Sequence, residues 1–375
     1  MIEEKKNRAG CPKTKIGFRQ NATCSGMRKR EAPEVACGKE KCQVFGQPEG
    51  GYAGVDIFKF YMSILVVLRH VVQNWCAPDS LLFMVVTNGL STVAVPFFFI
   101  TTGYLFFERK DDSAHLRKQI GRLLILYLVW SLIYSPIRLL PVLLKGRMTA
   151  SYIVSFIQDI LFSGTYYHLW YIPAAAVALL IVFLLRKALN KKMVLMVAGI
   201  LFLVGILDDS YRGIISPTFF QSYNAVFLTT RNGFFCGTVF VALGSYIKFV
   251  VLTKKQRHEY IFAAGISSFL LILESILNYK ILGSHVNNMM FMTIPLAIVL
   301  FKLSLQIQSK TDTKELRYLS ELVYFVHPVV LVGVGHFLPA NATWIKGMFT
   351  IVVSIGSAWC LLSIIKKKNS LRIMI

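Results

Sequence analysis

Two side chains in the first long apolar stretch of the chain, Lys59 and His70, sit in surroundings that do not suit them. The stretch 55–75 (VDIFKFYMSILVVLRHVVQNW) is otherwise mostly apolar, and about 20 such residues are enough for a helix to cross a bilayer. On a helix, positions 59 and 70 fall within roughly 20° of the same face and about 16 Å apart along the axis. A cation and an imidazole therefore line one stripe. An imidazole, with an ordinary pKa of about 6.5, suits proton transfer at neutral pH, and an ammonium group is a point charge suited to phosphate oxygens. Ionisable groups inside a membrane helix are costly and normally face a bundle interior or a wet cavity, so the pair marks a candidate site. The plainer account is a lysine that snorkels to the interface and a histidine used in packing.

The elements that position this stripe follow from composition. A chain of 375 residues that is 55% hydrophobic and only 16% charged reads as a polytopic, all-α membrane bundle. Its net charge of +22 lies mostly between the apolar runs, the pattern of loops facing an anionic leaflet, and this excludes nucleic acid as the partner. The lipid bilayer is the partner instead. Seven cysteines show no CxxC and no zinc-ligand spacing to histidine, so no metal is expected. Residues 1–50 are basic and polar, carry four of those cysteines, and read as a disordered cytoplasmic tail without the apolar core of a signal peptide. Residues 51–368 read as the membrane domain and 369–375 as a short tail.

Apolar runs give about ten spans: 54–75, 81–107, 120–143, 168–186, 192–208, 225–250, 258–277, 286–305, 318–338 and 344–365. The second is long and interrupted by Gly89 and Pro96, so its first part is expected at the interface. Basic residues alternate across the connections. Arg109, Lys110, Arg117, Lys118, Arg186, Lys187, Lys191, Lys192, Lys254, Lys255, Arg257, Lys310, Lys314, Arg317 and Lys366 to Lys368 fall on one side. Only Lys145, Arg147, Arg212, Lys280 and Lys346 fall on the other. The positive-inside rule then puts both termini in the cytoplasm, with Lys59 near the inner end of span 1 and His70 towards the outside. A bacterial cytoplasmic membrane is the expected location, the sites at Asn21 and Asn341 matching the glycosylation pattern by chance. Two outer segments, 145–167 and 208–224, are long enough to reach an acceptor, and no internal repeat of the transporter kind is evident.

Asp56, Lys59 and His70 on span 1 resemble the opening of membrane-bound acyltransferase family 3, with Lys where many members have Arg. The resemblance continues through VPFFFITTGYLFF, where Thr102 replaces a Ser, and through RKQIGRLLILYLVW, where Arg122 matches one basic position. The first basic position there is Gln119, its role left to Arg117 or Lys118. It extends to HLWYI at His168 to Ile172 and to ELVYFVHP with Tyr324, His327 and Pro328. The likeness covers roughly 54–365. It implies transfer of an acyl group, usually acetyl, from cytoplasmic acyl-CoA to a hydroxyl of an extracytoplasmic acceptor, commonly a glycan or cell-envelope component.

Chemistry distributes the roles. His70 is the candidate general base, with His327 or Tyr324 orienting base or acceptor; Lys59, Arg122 and Arg117 are the candidates for the donor's phosphates. Glu321, Tyr324 and His327 recur along one edge of span 9, where a plain packing set is an equal account. Asp56 is expected to pair with Lys59 one turn on, and Arg69 to point towards the outer interface, away from His70. His168 beside Trp170 gains weight only from the resemblance, and Glu274 is intramembrane without an evident role. The competing readings are a transporter or flippase of a polar solute, and a membrane module completed by a separate partner chain. If the roles hold, loss of Lys59 or Arg122 raises the KM for acyl-CoA more than loss of His70 does, which donor titration of the three variants measures.

Overall fold

The computed structural model describes residues 35–36, 43–44, 52–109, 111–285, 287–309, 311–339 and 343–375. The tail reading of 1–50, its four cysteines, Lys110, Lys310, Asn21 and Asn341 lie outside the described residues, apart from a two-residue antiparallel pairing of β1 (Val35–Ala36) with β2 (Gln43–Val44). The rest is helical. The long elements are α1 (Ala53–Trp75), α2 (Ala94–Arg109), α3 (Ser113–Leu144), α4 (Ala150–Gln158), α5 (Tyr171–Ala188), α6 (Lys191–Asp208), α7 (Gln221–Phe227), α8 (Thr238–Tyr246), α9 (Lys254–Leu282), α10 (Thr293–Ser304), α11 (Lys314–Phe337) and α12 (Thr343–Lys367).

Six helical runs among the described residues are long and apolar enough to cross a membrane: Phe83–Arg109, α3, α5, α9, α11 and α12. Their outward faces carry exposed Leu128, Leu132, Phe262, Phe269, Val352 and Trp359, an apolar surface far beyond what a water-soluble fold leaves uncovered. Each of the ten expected stretches holds a helix, but three of them are shorter or less regular than their apolar length suggests. Span 225–250 contains α8 behind a π-helical turn, Gly233–Gly237, and span 286–305 becomes helical only at Thr293. Span 81–107 opens with a π-helical run, Phe83–Gly89, and a 3-10 turn, Leu90–Val93. The break falls at Gly89, while Pro96 sits in the first turn of α2, where a missing N–H costs little. Phe83, Met84, Thr87 and Asn88 are buried, so the first part of this run is packed inside the protein.

α1 packs on α11, α12 and the run Phe83–Val93, and α2 packs on α8 and α10. The core is Phe-rich: Phe97, Phe99, Phe202, Phe240 and Phe301 are fully buried. α2 and α8 cross with their backbones nearly touching, because Gly103 and Gly244 face the partner helix. A Cβ at Gly103 would lie 2.2 Å from the Val241 carbonyl oxygen, and one at Gly244 2.2 Å from that of Ile100. Small residues at a membrane-helix crossing let dispersion contacts form along the whole seam. This crossing fixes the TTGY segment of α2 against α8. Gly103→Val forces backbone apart and is expected to cost about 1–3 kcal/mol, read as a lowered melting temperature in detergent.

Candidate functional site

Asp56 and Lys59 of α1 find their partners on α11 and at its N-cap, about 260 positions away. Asp56 is buried and accepts from Arg317 Nε at 2.8 Å and Nη2 at 2.9 Å, and from the Thr313 hydroxyl at 2.8 Å. Lys59 Nζ donates to Glu321 Oε1 at 3.0 Å. The expected pairing of Asp56 with Lys59 is therefore wrong. A bidentate guanidinium outcompetes an ammonium for a buried carboxylate, because its planar fork satisfies both oxygens.

Asp56, Lys59, Arg317 and Glu321 wall a cavity of about 260 Å³ together with Arg109, Gln119, Arg122, Thr102, Tyr171 and Tyr324. The Thr102 and Tyr171 hydroxyls lie 3.1 Å apart. Arg122 is thus in the Lys59 cavity as expected. Arg117 is not: it is exposed and lines a neighbouring hollow with Lys118, Arg122 and Arg372. Arg109 and Arg317 are further cations at the Lys59 cavity that the motif reading passed over, although a basic residue ending a span is a visible signal.

A second, smaller cavity of about 50 Å³ lies towards the C-terminal end of α1, lined by Arg69, His70, His168, Arg231, Asn288 and Tyr324 among others. His70 stacks on His327 with ring centroids 5.4 Å apart and meets the Tyr167 ring at 4.6 Å. His168 closes on His327 at 5.5 Å and on Tyr324 at 5.6 Å. The three imidazoles and Tyr324, set almost 260 residues apart along the chain, form one cluster. His327 Nδ1 lies 2.7 Å from the Tyr324 carbonyl oxygen. A carbonyl only accepts, so that nitrogen carries the proton and Nε2, buried and without a partner among the described residues, keeps its lone pair. Both ring nitrogens of His168 are likewise buried without a partner, while the Tyr324 hydroxyl donates to the His168 carbonyl oxygen. No group of His, Cys, Asp or Glu among the described residues is arranged to hold a metal ion.

Arg69 corrects a second expectation. It is 9% exposed and turned inward, donating to the Thr87 carbonyl oxygen, to that of Asn287 at 3.3 Å and to Asn288 Oδ1 at 2.7 Å. The Thr87 carbonyl belongs to the π-helical run, whose wide turn leaves acceptors for side chains to satisfy. The stretch before α10 is held the same way. Glu274 accepts from the Phe291 amide at 2.7 Å and the Met292 amide at 2.9 Å, and Asp209 from the Asn288 and Met289 amides. Glu274, which had no evident role, ties down a non-helical stretch. Arg231 and Asn288 were missed because both fall in stretches read as plain spans; an arginine in such a run was the available signal.

With this geometry in view, a family profile described as an acyltransferase domain matches residues 52–364. Among curated proteins, an amino-acid racemase of Enterococcus faecalis is 29% identical over 80% of this chain and 44% of its own length. A serine/alanine racemase of Enterococcus gallinarum is 30% identical over 81% of this chain and 45% of its own. The chain spans less than half the length of these relatives. No solved structure matches it. The pairing of Asp56 predicts a double-mutant cycle on melting in detergent: coupling of about 1 kcal/mol or more between Asp56→Asn and Arg317→Gln, and near zero between Asp56→Asn and Lys59→Gln.

Proposed function

The chain belongs to acyltransferase family 3, and from that premise we propose that it moves an acyl group, acetyl by preference, from coenzyme A in the Lys59 cavity to an acceptor hydroxyl in the His70 cavity. One observation carries the reading: Tyr324 is a wall of both cavities, so a thioester in one and a hydroxyl in the other meet at a single partition. Lys59, Arg109 and Arg122 supply cations for the donor's phosphates, and the apolar stretch between Phe98 and Leu126 suits the pantetheine arm. Arg117 serves, if at all, from the neighbouring hollow.

In the proposed step His70 takes the hydroxyl proton as the oxygen attacks the thioester carbonyl carbon. The C–O bond forms, the C–S bond breaks, and the sulfur leaves to become the free thiol of coenzyme A with that proton. His327 stacks behind His70 and fixes its ring, a positioning role; Tyr324 shapes the junction. Donor from one side and acceptor from the other require the chain to cross the membrane. We place ten crossings, the six long helices together with α1, α6, α8 and α10, with both termini cytoplasmic and the Lys59 end inside. α10 is short, but Asn287, Met289 and Met290 in the stretch before it are buried in protein, where irregular backbone is tolerated. A bacterial cytoplasmic membrane and a glycan or other cell-envelope acceptor fit this arrangement.

A second reading has its own support. The same two cavities on either side of Tyr324 also suit passage of a small polar solute, and the relatives that match are named as racemases of amino acids. In that reading the chain is a membrane unit that handles an amino acid without covalent chemistry. Thiol release from acetyl-CoA by purified, reconstituted protein separates the two. The acyl-transfer reading expects release that falls at least about 100-fold in His70→Ala with coenzyme A binding retained. Equal release by both proteins removes His70 from the chemistry, and no coenzyme A binding by either selects the solute reading.

A further inference from the structure

We infer that the acceptor carries a carboxylate next to the hydroxyl that is acylated, and that Arg69 and Arg231 bind it. The inference rests on the acyl-transfer reading for the hydroxyl, and on the cavity itself for the carboxylate.

The two guanidinium groups converge on one neutral atom. Asn288 Oδ1 accepts from Arg69 Nη2 at 2.7 Å and from Arg231 Nη1 at 2.9 Å. Among the described residues no carboxylate lies within ion-pairing distance of either arginine. The acid nearest in the network, Asp209, is committed elsewhere, accepting from the Asn288 amide at 2.7 Å, from its side-chain Nδ2 at 3.0 Å and from the Met289 amide at 3.0 Å. Two cations thus share one anion through an intervening amide. Arg231 also lies 4.9 Å over the Trp170 ring, which orients the guanidinium without neutralising it. Arg69 is buried and Arg231 half-buried; a cation withdrawn from water without a counter-ion is unfavourable, so a site with one net positive charge suits an anion of one negative charge.

The cavity defines the rest of the ligand. It holds about 50 Å³, where one water needs roughly 10–15 Å³, which is room for a carboxylate and a hydroxyl one or two carbons away from it. A single excess charge and this volume fit a planar monoanion held by a guanidinium fork, and fit a bulkier dianionic phosphate poorly. His70 and the unpartnered nitrogens of His168, a residue only 2% exposed, line the same space, so the hydroxyl must sit on the unit that bears the carboxylate. The substrate class is a hydroxy-carboxylate: a hydroxy acid, a hydroxy-amino acid, or an acidic sugar unit of a glycan.

The test uses detergent-purified full chain, wild type, Arg231→Gln and Arg231→Lys, with acetyl-CoA, three matched pairs of acceptors (glycerate and glyceramide, serine and serinamide, glucuronate and glucose) and glycerol phosphate. The inference expects thiol release to respond to the carboxylates and not to their neutral counterparts. In Arg231→Gln the KM for the carboxylate should rise at least tenfold with kcat within a few-fold, and Arg231→Lys should recover part of the loss. Preference for glycerate or serine points to a free small acceptor, and preference for glucuronate to a glycan. Equal response to neutral and anionic partners overturns the carboxylate and leaves acyl transfer standing, as does a preference for glycerol phosphate over all three carboxylates. If no acceptor elicits thiol release, the transfer reading fails and melting without coenzyme A decides the site alone. Stabilisation by glycerate over glyceramide in the wild type but not in Arg231→Gln upholds it, and no difference overturns it.

Discussion

The structure depends on the cost of placing charge inside an apolar helix bundle. α1 carries Asp56, Lys59, Arg69 and His70 in a run that is otherwise apolar, and each of the first three must be met by a partner or remain a large penalty. Asp56 is met by Arg317, Lys59 by Glu321, and Arg69 by carbonyl and amide oxygens of the Phe83–Gly89 run and the stretch before α10. These bonds set the register of α1 against α11, and that register stacks His70 on His327. The ion pairs at one end of α1 therefore position the imidazole at the other.

A second consequence is the irregularity around the His70 cavity. The 3-10 turn Leu90–Val93 that follows the π-helical run Phe83–Gly89, the π-helical turn Gly233–Gly237 and the non-helical stretch 287–292 border it. Backbone of this kind exposes carbonyl and amide groups that lipid would leave unsatisfied. Here they are taken up by Arg69, Asp209, Glu274 and Asn88, side chains that a regular helix would not need. Polar residues within predicted spans were therefore part of one device: they hold open a small polar space inside an apolar bundle. The Lys59 cavity is built differently, from regular helices whose side chains point inward, and it is the larger of the two.

The helical class, the positions of the helices and the inward placement of Lys59, His70, Tyr324 and His327 were legible in the chain, because apolar length and a misplaced ionisable residue are local properties. Lys59 and His70 do line two cavities that share a wall, as one stripe on one helix face requires. What was not legible was any pairing. Asp56 appeared to belong to Lys59 because helical spacing is the only neighbour relation a sequence displays; its real partner is 261 positions away. Arg69 was set aside because its direction on α1 was known but not what lay in that direction.

By itself the sequence determined that the chain is a helical membrane bundle and which ionisable side chains must be buried, since both follow from the transfer cost of residues taken in order. The tertiary structure alone decided which charges neutralise one another, that Arg231 and Asn288 join Arg69, and that Arg117 stands outside the Lys59 cavity. Those outcomes depend on contacts between helices distant in sequence, and no periodicity along one helix encodes what another brings to it.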